Sequence, residues 1–270
     1  MRYLETFKLK LIGSVLPLFF LLACQQLSRD SELILSNGWS RTVASGLGFN
    51  HLLIDNLKPF SQLLHVYIEG DGKPLNAAGF PSNDPSPDFP LALELMGKAN
   101  VRSYYIGRPC YFEVYSLRCN PNLWTEGRYS ESIVNSLSKV ISNLAEEREI
   151  PVALIGFSGG GTLATLVASR NQYVRGLVSI NANLDLGRWT SFYGARSLSD
   201  SLDPIQEQEK VNEPTKKIFF VGGRDLIVPS VISRKYVEIH GGELIEYPNF
   251  THTCCWLDIW ESLLEKIKTF

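Results

Sequence analysis

The chain has 270 residues, with 26 basic and 28 acidic side chains, a formal net charge of −2, 44% hydrophobic residues and 20% charged ones. That composition is ordinary for a globular protein, and without a basic excess no nucleic-acid partner is expected. The length suits one large α/β domain with ample residues for a core.

At the N-terminus, Arg2, Lys8 and Lys10 lead into an apolar run, Leu11 to Ala23, too short to span a bilayer and broken by Pro17. The run closes on Leu21-Leu22-Ala23-Cys24, which resembles a bacterial lipobox; an ordinary signal peptide followed by a coincidental cysteine is the other reading. The lipobox resemblance implies that residues 1–23 are removed and that Cys24 becomes the lipidated N-terminus. With Gln25 rather than aspartate next, it implies a periplasmic domain anchored by lipid to the outer membrane of a Gram-negative bacterium. Residues 24–31 then read as a polar tether, and the domain proper as 32–270. Loss of the leader leaves 23 basic against 27 acidic residues, a mildly acidic chain.

Four cysteines remain, an even number that suits an oxidising compartment. They allow three connectivities, of which a Cys110–Cys119 bridge across an aromatic segment is favoured. Cys254 and Cys255 are adjacent and either bond to each other or pair elsewhere. No CxxC or HxxxH spacing occurs, so neither a metal nor a cofactor is expected.

In chain order, Glu32–Ser36 and Thr42–Asp55 read as the first, antiparallel strands, split at Asn37-Gly38 and again near Gly46–Gly48. Leu63–Ile68 is the next strand and runs into Glu69-Gly70-Asp71-Gly72. A loop holding four prolines spans 81–90, followed by a helix over Leu91–Lys98 and a strand over Val101–Ile106. Residues 107–128 form an excursion rich in aromatics, among them Tyr111, Phe112, Tyr115 and Trp124. Ser130 is placed to cap a helix with one apolar face along Ile133, Leu137, Val140, Ile141 and Leu144.

Residues 151–168 organise the rest. Val152–Ile155 is a short apolar strand, Gly156-Phe157-Ser158-Gly159-Gly160 a glycine-flanked turn, and Thr162–Ala168 a helix of small and apolar residues. A strand, a sharp turn carrying serine and a helix raise the hydroxyl above the sheet at the positive end of the helix. Strand 174–180 follows. A segment of about 184–211, with Trp189, Phe192 and Tyr193, reads as a small insertion over the site. Then come strand 218–221, a helix opening at Val228-Pro229, strand 243–247 and a terminal helix over 254–270. Such alternation predicts a mostly parallel sheet covered by helices on both sides.

A serine hydroxyl becomes a useful nucleophile when a base takes its proton, usually a histidine held by a carboxylate. Of the four histidines, His51 and His65 lie on strands and His240 at a helix end, whereas His252 follows the last strand at the same sheet edge as Ser158. Asp225 ends the preceding strand and gives the order Ser158, Asp225, His252; Asp185, one strand earlier, is the rival acid. The oxyanion would be held by the amide of Gly159 and a second amide from the glycine-rich 70–72 loop, placed at Asp71 with Gly72 the near alternative.

On these motifs the chain resembles the α/β-hydrolase family over essentially its whole mature length: the elbow at 156–160, Gly222-Gly223-Arg224-Asp225, and His252 with Trp256 a turn later. The family's oxyanion loop usually begins His-Gly, and here Glu69-Gly70 stands in its place. Gly107-Arg108-Pro109-Cys110, Trp124-Thr125 with Arg128-Tyr129-Ser130, and Asn183-Leu184-Asp185 with Trp189 further resemble uncharacterised exported proteobacterial hydrolases. The resemblance implies an α/β-hydrolase fold and a serine hydrolase whose partner is a small acyl substrate, a carboxylic ester or thioester. The aromatics at 111–124 and 189–193 either line its acyl pocket or simply pack. A peptidase of the same fold, anchoring a peptide amine on Glu69 or Asp71, and a non-catalytic binding lipoprotein are the other readings.

Overall fold

The computed structural model describes residues 28–207, 216–267 and 270. The leader at 1–23, the lipidation position Cys24, the start of the tether and positions 208–211 of the insertion lie outside the described residues. The chain folds into an eight-stranded sheet of order β1-β2-β4-β3-β5-β6-β7-β8. Its strands are β1 Ser40–Ser45, β2 Asn50–Asp55, β3 Leu64–Ile68, β4 Ser103–Ile106, β5 Val152–Phe157, β6 Val174–Ile180, β7 Lys216–Gly222 and β8 Glu243–Tyr247. The β1–β2 hairpin is antiparallel and meets β4 antiparallel; β4 through β8 run parallel.

Seven helices cover this sheet among the described residues: α1 Arg29–Asn37, α2 Leu91–Gly97, α3 Glu131–Glu146, α4 Gly159–Ala168, α5 Leu186–Tyr193, α6 Ser230–His240 and α7 Trp256–Ile267. Helix α2 packs with α1 and α7, while α4 packs with α3. Strands β3, β4 and β5 are buried along their whole length, which is why their sequences read as continuous apolar runs rather than alternating ones. Trp256 and Trp260 of α7 are both fully buried, the latter edge-on to Tyr67. The helix over 131–146 forms with Ser130 at its N-cap, although the hydroxyl caps no amide and pairs with Ser132 instead.

The first element differs from expectation. Glu32–Ser36 is not a strand but the body of α1, and the helix begins at Arg29, so residues 29–31 belong to the domain rather than to a tether. Asn37-Gly38 reads as a hairpin turn, yet Gly38 sits at φ 65° as a helix C-cap; its amide reaches Leu35 and that of Trp39 reaches Ile34. One buried apolar contact, Ile34, and the Arg29–Glu94 ion pair to α2 hold the helix in place. A run of five residues is too short to separate the two periods. The hairpin split near Gly46–Gly48 is as expected.

Two strand histidines are held neutral. His51 donates from Nδ1 to the Gly107 carbonyl (2.9 Å) and accepts the Ser136 hydroxyl at Nε2 (2.7 Å). Burial pushes its pKa down to about 4, and that of His65 likewise. Between pH 6.5 and 4 the unfolded chain takes up both protons and the fold neither, so stability falls on acidification. Glu69 opposes this: burial pushes it up to about 7, so between 4.5 and 7 the fold holds a proton that the unfolded chain releases. The balance is roughly one proton in the destabilising direction. We expect a lower melting temperature near pH 4.5 than near pH 6.5 by circular dichroism, and a smaller loss in His65→Leu. An unchanged loss in that variant would refute the assignment.

Candidate active site

Strand β5 ends at Phe157 and helix α4 begins at Gly159, leaving Ser158 on the turn at φ 52°, ψ −125°, a conformation costly for a residue with a side chain. Its amide donates to the Ile180 carbonyl of β6 (2.8 Å), which pins the turn. The glycines have a steric cause. A Cβ at Gly156 would stand 2.3 Å from the Gly160 carbonyl oxygen, and one at Gly160 would stand 2.1 Å from that of Ile68.

The sequence-predicted residues meet at the C-terminal edge of the sheet. His252 Nε2 lies 3.0 Å from Ser158 Oγ, and His252 Nδ1 lies 2.7 Å from Asp225 Oδ2. The Asp225 side chain is wholly buried, and its Oδ1 accepts the amides of Ile227 (2.7 Å) and Val228 (2.9 Å). With one oxygen committed to two amides, the other faces the imidazole and sets its tautomer, leaving Nε2 free to take the serine proton. The rival acid plays another part: Asp185 caps α5 by accepting the Arg188 amide.

The β3–α2 loop passes directly beside the serine; a Cβ on Gly70 would come 3.3 Å from Ser158 Cβ. The amides of Asp71 and Gly159 donate to no other described protein group, consistent with the expected oxyanion pair. Glu69 does not point a charge at the reacting position. Its two oxygens accept the Gly70 amide and the Ala92 amide at the start of α2 (3.0 Å each), tying the loop to that helix.

Several residues here had no assigned role from the sequence. The Asp71 carboxylate accepts from Arg108, from Arg128 (3.1 Å) and from the Tyr129 hydroxyl (2.7 Å). Burial alone would raise its pKa, but the two guanidinium charges and the tyrosine bond overcome that and hold it at about 2. The carboxylate lies against the elbow: a Cβ on Gly159 would meet Asp71 Oδ1 at 2.0 Å. Asn181, at φ 49° just past β6, donates to the carbonyls of Thr251 (3.1 Å) and His252 (2.8 Å) and accepts the Gly222 amide (2.8 Å). It thereby fixes the His252 loop against β7. The left-handed tolerance of asparagine is the one sequence signal that pointed there.

A cavity of about 370 Å³ opens over Ser158, bounded by Phe89, Arg128, Trp189, Ile227 and His252 among others. Helix α5 of the 184–211 segment brings Trp189 over the site, where its Nε1 donates to the Ile227 carbonyl (2.8 Å), and Tyr193 bonds the Leu226 carbonyl. Of the aromatics in 111–124, Tyr111, Phe112 and Trp124 are buried in the body and do not line this cavity; packing accounts for them. Cys110 and Cys119 are paired, Cα atoms 5.7 Å apart, and Cys254 is paired with Cys255.

The profile of the serine hydrolase (FSH1) family matches residues 118–252. No curated protein matches in sequence. An α/β serine hydrolase without lid from Xanthomonas campestris superposes with a TM-score of 0.57 at 14% identity, over 86% of this chain and 94% of that one. Est1E from Butyrivibrio proteoclasticus gives 0.55 at 11%, over 84% and 99%. The acylaminoacyl peptidase of Pyrococcus horikoshii gives 0.56 at 13%, over 85% of this chain and 41% of that one. At such identities the likeness is one of fold.

Proposed function

Because the chain belongs to the serine hydrolase (FSH1) family, we propose that it hydrolyses carboxylic esters or thioesters through an acyl-enzyme, with Ser158 as nucleophile, His252 as base and acid, and Asp225 as the group that orients the imidazole. The observation that carries this reading is the continuous Ser158–His252–Asp225 hydrogen-bond chain on a strained elbow. Ser158 Oγ attacks the acyl carbon while His252 Nε2 takes its proton. Negative charge grows on the carbonyl oxygen, held by the Asp71 and Gly159 amides. The C–O or C–S bond breaks as His252 returns the proton to the departing alcohol or thiol. Water, deprotonated by the same imidazole, then releases the acid.

Ester chemistry is favoured over removal of an N-terminal amino acid by the state of the two carboxylates near the serine. A peptide amine needs an unpaired carboxylate, whereas Asp71 already serves two arginines and Glu69 two amides. Cys24 as a lipidated N-terminus would place the activity at a periplasmic membrane surface, with only residues 25–28 between anchor and α1. The test is to treat the folded mature domain with a fluorophosphonate, then assay acyl esters beside aminoacyl amides. Labelling, with esters turned over at least about a hundredfold faster than amides, supports the proposal. Faster amides would favour the peptidase, and absence of labelling a binding lipoprotein.

A further inference from the structure

The cluster around Asp71 carries one more positive charge than negative, while Asp225 is committed to His252 and Glu69 to the Gly70 and Ala92 amides. Asp71 contributes one negative charge, and Arg108 and Arg128 contribute two positive ones. The hydroxyls of Tyr111 and Tyr129, which border the cluster, are held neutral by burial. Arg108 is fully buried and cannot meet a ligand: its Nη1 goes to Asp71 and its Nη2 to the Arg128 carbonyl. Arg128 differs. Nε donates to the Thr125 carbonyl (2.6 Å) and Nη1 to Asp71, while Nη2 donates to no described protein group. Arg128 lines the cavity over the serine and is the one permanent cation among its lining residues.

Arg128 shares the single Asp71 charge with Arg108, and its spare Nη2 in a largely buried position favours an incoming anion. Its neighbour Asp71 lies against the Gly159 backbone, and Arg128 and Ser158 line the same cavity. Building on the ester-hydrolase reading, we propose that the substrate carries a carboxylate, received by Arg128 Nη2, beside the ester that Ser158 cleaves. Two substrate types share this chemistry: half-esters of dicarboxylic acids, with the charge on the acyl side, and acyl esters of hydroxy acids, with the charge on the leaving side. Trp189, Phe89 and Ile227 supply the apolar remainder of the cavity.

The test uses size-matched pairs that differ by one charge, assayed by pH-stat at low salt: monoethyl adipate against its primary amide, and 4-acetoxybenzoate against 4-acetoxybenzamide. We expect kcat/KM for the carboxylate to exceed that for the amide by about tenfold or more in one pair, the size of one charge-assisted contact. In Arg128→Gln that ratio should fall towards one, and Arg128→Lys should retain part of it. The ratio is the readout because loss of the Asp71 anchor slows both members of a pair alike. A wild-type ratio of one or less in both pairs, a ratio unchanged in Arg128→Gln, or no turnover of either pair by protein that labels with fluorophosphonate overturns the proposal. Protein that does not label overturns the hydrolase reading, and this one with it.

Discussion

Replacing Ser158 by alanine is expected to abolish fluorophosphonate labelling and to lower kcat on an acyl ester by roughly 10⁴–10⁶-fold, leaving the fold intact. The size follows from the arrangement: without Oγ, the His252–Asp225 pair has no proton to move, and only substrate binding and the two oxyanion amides remain. Asp225→Asn tests the other end of the same chain. An amide nitrogen facing His252 Nδ1 favours the wrong tautomer, so a loss of about 10⁴ is expected with labelling greatly slowed. Ser158→Gly separates activity from stability, because glycine is at ease at φ 52° where serine is strained. That variant should be as inactive as the alanine one yet melt higher, by about 2–4 °C if net relief is near 1 kcal/mol. A glycine variant that melts lower than wild type would show that the elbow stores no strain.

Arg108→Met is the substitution expected to cost the most stability. The guanidinium is fully buried, bonded to Asp71 and to the Arg128 carbonyl, and stacked near the rings of Tyr111 and Tyr129 at 5.2 and 5.5 Å. Its removal leaves a partly buried carboxylate with one guanidinium and orphans a backbone carbonyl. Breaking a buried pair from one side costs about 3–5 kcal/mol, on the order of 10 °C in melting temperature. Activity should fall as well. The Asp71 carboxylate loses one of its anchors, so the adjoining amide is held less firmly, and one positive charge near the growing oxyanion is gone, an effect of roughly 10²-fold. If Arg108→Met melts within about 1 °C of wild type, the cluster is not a stabilising element.

The same cluster shows where reading the chain residue by residue stops. The guanidinium partners of Asp71 lie 37 and 57 positions away, in an excursion with no regular period. Its aromatic residues looked like candidates for an acyl pocket, but it was the arginines beside them that reached the site. Asn181 is similar: it reaches across 71 positions to the His252 carbonyl, and nothing in its neighbourhood announces the partner. The α1 error has a different origin, since a glycine at φ 65° can turn a hairpin or stop a helix, and a five-residue apolar run decides neither.

By itself the amino-acid sequence determined the alternation of buried strands and covering helices, the elbow at Ser158, and the chain order that brings Asp225 and His252 to one sheet edge. These are short-range signals, because glycine spacing, apolar periods and the positions of strand ends are set by neighbours along the chain. Only the tertiary structure decided between Asp225 and Asp185, assigned Arg108, Arg128 and Asn181, and brought Arg128 with a spare donor to the cavity over the serine. Those outcomes depend on Coulomb and hydrogen-bond partners brought together from distant segments, which burial selects by distance in space rather than by separation in sequence.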